Sequence, residues 1–219
     1  ITEGLVGSEM CIRDSPSQGL LDLFTLATFF NPNEPSTHSL LNKKITIVGD
    51  ILHSRVARSN LWALTACGAE VTLCGPPSLL PEEFIDFVVN PPPGQKFDPI
   101  NKRGSVFIKR SLKEALKDSD AVMTLRLQKE RMKQNMLTDL DSYYAQYGIT
   151  HESLKWCEKK VPVLHPGPVN RGIEISSRLV EDNSINLISK QVENGIPTRM
   201  ALLYFCLLYT SDAADETCR

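Results

Sequence analysis

The 219 residues lack a C-x-x-C pair, a Cys/His cluster at zinc spacing and any apolar run of the roughly 18 residues that a membrane-spanning helix requires. These gaps remove the redox-dithiol, zinc-site and transmembrane classes. Charge of one sign is also scarce, since 24 Lys and Arg stand against 26 Asp and Glu for a formal charge of −2. A nucleic-acid binder needs a basic footprint, and none is present. The first 14 residues carry no charged n-region, apolar core and small-residue cleavage site, so they do not read as a signal peptide. No repeat or low-complexity segment interrupts the chain.

What is there is an ordinary globular balance, 42% hydrophobic and 23% charged, sufficient for one large domain or two small ones. The expected protein is soluble and cytoplasmic, with Cys67, Cys74, Cys157 and Cys206 as buried reduced thiols and no metal or organic cofactor. Residues 1–14 and the tail from Leu207 to Arg219 have no sustained period and resemble translated sequencing-adapter sequence. Residues 15–206 are therefore the informative part. Within them, 15–43 read as a helix and linker and 44–206 as an α/β domain.

Ser15, Pro16 and Gln18 predict a helix start with a capping box, and Leu20, Leu23, Phe24 and Ala27 give it an apolar stripe as far as Phe30. A polar, Pro-containing link leads to Lys44. Strand and helix then alternate. Strands are expected at Ile45–Val48, Glu70–Cys74, Ser105–Ile108, Ala121–Leu125 and Val161–Leu164, with a short edge candidate at Asn186–Ile188. Helices are expected at Ser54–Cys67 with Gly68 past the end, Pro81–Val89, Ser111–Lys117 and Gln191–Cys206, the last broken near Pro197. Asn90–Gly104, with three consecutive prolines, reads as a surface loop. The pattern predicts a doubly wound, mainly parallel sheet with helices on both faces, preceded by one helix left over from a second α/β domain.

In such sheets ligands bind beyond the carboxyl ends of the strands, so the segments found there are the candidates. Gly49–Arg55 follows the first strand, Arg126–Arg131 the fourth and His165–Pro168 the fifth. Arg55 opens a helix, where free N–H groups and the dipole already favour an anion, and Arg126 approaches from another strand. Two guanidinium forks suit a small dicarboxylate. Taken singly, each has a plainer explanation. Arg55 is a solvated surface residue, Arg126 the partner of a nearby acid such as Glu130, and the proline-flanked segment a rigid turn with fixed carbonyls. The capping box accounts for Gln18, while His38, His53 and His151 read as surface or helix-end residues. Lys129, Glu130 and Arg131 read as a solvated charge run.

Taken together, Pro16–Leu23, Ile47–Asp50, Ser54-Arg55, Thr124–Arg131, His165–Gly172 and Asn194–Ala201 resemble, in order, the catalytic chains of the aspartate carbamoyltransferase family. The resemblance runs from Ser15 to about Phe205. It implies two α/β domains, one for carbamoyl phosphate and one for L-aspartate, in a homotrimer with the active site between domains and across the subunit interface. It also implies that Arg55 and Arg126 bind the aspartate carboxylates, that Gln128 orders that pocket, and that Gln18 and the Pro166-Gly167-Pro168 turn contact the carbamoyl end. The amino group of aspartate would attack the carbamoyl carbon and phosphate would leave, with orientation and charge stabilisation as the catalytic means and no cofactor.

The family's Ser-Thr-Arg-Thr phosphate motif does not occur in residues 1–14, and Ser15 stands where family members carry a His that polarises the carbamoyl oxygen. The expectation is a polypeptide inactive by itself, whose catalytic groups are not identified within it. An ornithine-using relative would carry His-Cys-Leu-Pro in place of His165–Pro168. A nucleotide-binding module would need the G-x-G-x-x-G glycines that Gly49–Ser54 lacks.

Overall fold

The computed structural model describes residues 16–81, 104–128 and 140–216. All but the first residue of the expected helix at Pro81–Val89, all but the last residue of the expected 90–104 loop, the charge run at 129–131 and the first 15 residues lie outside the described residues.

Five strands, β1 (Lys44–Val48), β2 (Glu70–Cys74), β3 (Val106–Lys109), β4 (Ala121–Thr124) and β5 (Val163–Leu164), form one sheet in the order β3-β2-β1-β4-β5. Every pairing is parallel, with Ile47 of β1 opposite both Leu73 and Met123. The described helices are α1 (Pro16–Phe30), α2 (Arg55–Ala66), α3 (Leu112–Leu116), α4 (Leu140–Tyr147), α5 (His151–Leu154), α6 (Ser177–Glu181) and α7 (Ile188–Glu216).

Successive strand residues point to opposite faces, and both faces are apolar, as a parallel sheet covered on two sides requires. Ile45, Ile47, Leu73 and Met123 pack with Leu26 of α1 and with Leu61 and Leu64 of α2. Val48, Cys74, Val122 and Val163 pack with Leu112 and Leu116 of α3, Tyr143 and Tyr147 of α4 and Leu179 of α6. Thr46 and Thr124 are buried polar residues on the second face. The Thr46 hydroxyl donates to the Ala115 carbonyl at 2.9 Å and pairs with the Ser119 hydroxyl at 2.6 Å, and the Thr124 hydroxyl donates to the Glu174 carbonyl at 3.4 Å, so both find partners.

α2 begins and ends as the sequence dictates. The Ser54 hydroxyl accepts from the Ala57 N–H, and Gly68 takes φ +78° beyond the last turn. Pro162 explains why β5 is shorter than expected. It has no N–H for a ladder, so the strand starts at Val163 while the Pro162 carbonyl still accepts from the Val122 N–H. Asn186 adds one parallel bridge beside Val163, but Ile188 already belongs to α7 and not to an edge strand.

Three expectations are corrected. α1 buries Leu21, Leu26 and Ala27 while Leu20 and Phe24 are each 41% exposed, because α1 packs on α2 and α7 with a face rotated from the one the stripe suggested. α7 is unbroken at Pro197 and continues past Cys206 to Glu216. A proline there removes one hydrogen bond, to the carbonyl of Glu193, a solvent-exposed residue where water can replace it. Cys206 is exposed and Cys67 half-buried, so only Cys74 and Cys157 are the buried thiols expected; burial pushes Cys74 up to about 12 and Cys157 up to about 11.

Candidate functional site

The chain enters the sheet at β1, runs outward through β2 and β3, and then returns to the other side of β1 at β4. The strand order therefore reverses between β1 and β4, and the segments leaving β1, β4 and β5 emerge from three adjacent strand ends. This is where a doubly wound sheet opens a crevice.

After β1 comes Gly49 at φ +125°. A Cβ there would lie 2.9 Å from the Leu125 carbonyl oxygen, so this position needs glycine on two counts. The turn it permits buries Asp50 completely. One carboxylate oxygen of Asp50 accepts from the His53 N–H at 3.2 Å and meets the His53 Nδ1 at 2.8 Å, and the other accepts from the Gln128 N–H at 3.2 Å. Gln128 answers by donating its Nε2 to the His53 carbonyl at 3.2 Å. Asp50 thus staples the segment after β4 to the turn that precedes α2. Arg55, in the first turn of α2, is exposed, and Arg126, two residues past β4, is half-buried. His53 is no surface residue, since its side chain is only 17% exposed and pairs with Asp50.

A second carboxylate organises the other side. Asp22, on α1, is fully buried. Its Oδ1 accepts from Gln18 Nε2 at 2.9 Å and from Gln191 Nε2 at 2.7 Å, and its Oδ2 accepts from Asn60 Nδ2 at 2.7 Å. Donors from α1, α2 and α7 converge on one acid. Burial pushes its pKa up to about 6, with the three amides pulling it back down. The expected role of Gln18 in a capping box is corrected, because its amide is spent on Asp22, one turn along the same helix.

The turn after β5 is held from behind. The His165 N–H donates to Gln191 Oε1 at 2.9 Å, and His165 Nδ1 accepts from the Gly167 N–H at 2.9 Å. An acceptor Nδ1 places the imidazole proton on Nε2, which donates to Glu174 Oε1 at 3.2 Å. Glu174 is fully buried and the same oxygen accepts from the Asn170 N–H at 2.6 Å. Gly167 takes φ +69°, and the Gly167-Pro168 peptide is cis.

A cavity of about 270 Å³ lies between α1, α7 and this turn, lined by Gln18, His165, Pro166, Gly167, Gln191 and Arg199 among others. The structure therefore brings Gln18, Pro166 and Gly167 together. Pro168 is exposed beside them, and Arg55, Arg126 and Gln128 are not part of that lining. Gln128 is instead joined to the loop before Arg55. Asp22, Asp50, Gln191 and Arg199 were not singled out from the sequence. An acid at the fourth position after Gln18, on the inner face of an otherwise apolar helix, was the available signal for Asp22. Among the described residues no group of three His, Cys, Asp or Glu side chains is placed to hold a metal ion, and no helix is long and apolar enough to cross a membrane.

Residues 41–206 match the family model described as aspartate/ornithine carbamoyltransferase, Asp/Orn binding domain. The chain is 92% identical over 197 residues to the aspartate carbamoyltransferase catalytic subunit of Prochlorococcus marinus strain NATL2A, covering 90% of this chain and 58% of that protein. It is 62% identical over 193 residues to the subunit of the same name from Synechococcus sp. strain WH7803, covering 88% and 56%. The chain thus spans well under two thirds of the length of these relatives. Among solved structures, aspartate transcarbamoylase from Trypanosoma cruzi in complex with aspartate and phosphate is similar at a TM-score of 0.66 and 25% identity, covering 87% of this chain and 53% of that one. Ornithine carbamoyltransferase from Pyrococcus furiosus shares the fold at a TM-score of 0.69 and 20% identity, covering 87% and 55%.

Proposed function

Because the chain belongs to the aspartate/ornithine carbamoyltransferase family, we propose that it supplies the amino-acid-binding part of an enzyme that moves the carbamoyl group of carbamoyl phosphate to the amino group of L-aspartate. In this reading residues 44–206 are the aspartate domain, and 15–43 are a helix and linker from the carbamoyl phosphate domain. The enzyme is a cytoplasmic homotrimer of pyrimidine biosynthesis. The terminal strings, 1–14 and 207–219, are foreign to it.

The observation that carries the reading is the Asp50 staple, which ties Gln128 of one strand end to the turn preceding Arg55 of its neighbour. With those two segments joined, Arg55 and Arg126 approach one diacid from adjacent strand ends, each fork gripping a carboxylate. Gln18 and the Pro166–Pro168 turn receive the carbamoyl group from the far side. The amine then attacks a carbon held in place, and the barrier falls chiefly through orientation. Aspartate is favoured over ornithine by the name borne by the 92% identical relative and by the absence of His-Cys-Leu-Pro at 165–168.

Calorimetric titration of the chain with succinate or aspartate tests the reading. Binding is expected to weaken at least tenfold in Arg55→Ala and in Arg126→Ala, since each removes a charge-assisted pair of hydrogen bonds. Unchanged affinity in both variants would refute it. The 219-residue chain, in which the Ser-Thr-Arg-Thr string is not found, is expected to form no carbamoyl aspartate unaided, and measurable product would overturn that part.

A further inference from the structure

Asp22 presents a carboxylate to two glutamines at once, and a carboxylate can only accept hydrogen bonds. Each glutamine must therefore turn its NH2 end toward Asp22 and its carbonyl oxygen away. For Gln191 the consequence is visible, because its Oε1 accepts from the His165 N–H at the root of the turn. Gln18 is under the same constraint, with Nε2 on Asp22 at 2.9 Å, and it lines the 270 Å³ cavity together with Pro166 and Gly167. The end of the amide not bonded to Asp22 is Oε1, an acceptor. Asn60 closes the third side of Asp22 from α2, so the acid is fixed by three helices and cannot swing away.

We infer that Asp22 is a positioning residue that locks the Gln18 amide with Oε1 facing the cavity, so that the site selects a ligand presenting an N–H donor, a carbamoyl –NH2, over one presenting a methyl group. This rests on the carbamoyl phosphate reading for its ligand but not for its geometry. The same acid, through Gln191, also holds the His165 N–H, and so sets one wall and one polar group of the cavity together. Neutral amides are the only side chains bonded to Asp22 among the described contacts, which fits a role in orientation and not in proton transfer.

The test uses the 15N-labelled 219-residue chain, with carbamoyl phosphate and acetyl phosphate as probes that differ by –NH2 against –CH3. In the wild type the Gln18 side-chain amide protons are expected to exchange slowly. Carbamoyl phosphate is expected to bind about tenfold more tightly than acetyl phosphate, the worth of one hydrogen bond to an otherwise orphaned acceptor. Asp22→Asn keeps an acceptor at Oδ1 and is expected to retain both properties. Asp22→Leu is expected to lose the slow exchange and to bring the preference to about unity by weakening carbamoyl phosphate alone. A merely structural defect would weaken both probes equally, and that outcome, or an intact preference in Asp22→Leu, overturns the inference. If Leu at position 22 prevents folding, the wild-type signal decides: Gln18 amide protons exchanging at the rate of a free glutamine overturn it. If neither probe binds the wild type, the carbamoyl reading fails for this chain, and the Gln18 signal still settles the orienting role of Asp22.

Discussion

Two buried carboxylates divide the candidate site between them, and they are held by opposite means. Asp50 is bonded by two backbone N–H groups and one imidazole, all from the turn that it begins and from the strand end beside it. Asp22 receives no backbone donor among its described bonds, only side-chain amides from three helices, two of them far away in sequence. A carboxylate caged by backbone is fixed wherever the turn forms, whereas one caged by side chains exists only once the helices have packed. The Asp50 side is thus a local device that carries cations, and the Asp22 side is a tertiary device that orients neutral amides.

The largest effect is expected behind the turn on the Asp22 side. Glu174→Ala removes the acceptor shared by His165 Nε2 and the Asn170 N–H, leaving one buried and one half-buried donor without that partner. A loss of about 3–4 kcal/mol in urea unfolding is expected. A loss below about 1 kcal/mol would mean that the turn holds itself, and the two sides would then be alike.

Next comes the dependence on pH. The pKa of Asp22 rises from an ordinary 3.8 to about 6 on folding. Between these values the folded chain binds the extra proton, so its stability from this group is greatest below pH 4 and declines as pH climbs toward 6. Over that window Asp22→Asn should therefore gain on the wild type by on the order of 3 kcal/mol, at 1.36 kcal/mol for each pKa unit. Acids common to both proteins cancel in the difference. Parallel stability curves from pH 3.5 to 7 would show that the amides compensate the burial in full.

The two sides differ in the same way in what the residues alone disclosed. The strands, the Ser54 cap and the Gly68 stop were legible because each rests on neighbours within a few positions: β-branched runs, a hydroxyl three residues from an N–H, a positive φ. Gly49-Asp50 followed the first strand in plain view, although its carboxylate was not recognised as a staple. Asp22 was not legible, since its partners Asn60 and Gln191 come from elsewhere in the chain, and Gln18 had a nearer explanation in the capping box. The short helices α4, α5 and α6 were missed for a related reason. α5 is started by a capping box that closes on Ser153 instead of a Glu or Gln, and α6 by Ser176 capping Leu179, signals too short to show a period. Pro197 misled because proline's penalty depends on whether the freed carbonyl reaches water, which the sequence does not state.

On the Asp50 side a backbone perturbation should outweigh any side-chain one. Gly49→Ala forces a Cβ against the Leu125 carbonyl at a φ of +125° and is expected to destabilise by about 2 kcal/mol, measured as a shift of the urea midpoint at constant slope. An unshifted midpoint would show that the turn can relax without releasing Asp50.

The smallest effect sharpens the comparison most. Gln128→Ala deletes the 3.2 Å bond from Nε2 to the His53 carbonyl but leaves the Gln128 N–H on Asp50 untouched, because that donor belongs to the backbone. Stability should fall by only about 1 kcal/mol, the ordinary worth of one partly exposed hydrogen bond. Succinate affinity should fall severalfold, because the turn before Arg55 loses one of its two described hydrogen bonds to the segment that carries Arg126. The matching change across the site, Gln191→Ala, deletes a donor to Asp22 and the acceptor for the His165 N–H together, so it should cost more than twice as much. Equal losses in the two variants would mean that a carboxylate caged by side chains is no more dependent on any single partner than one caged by backbone, and the distinction between the two sides would be one of composition only.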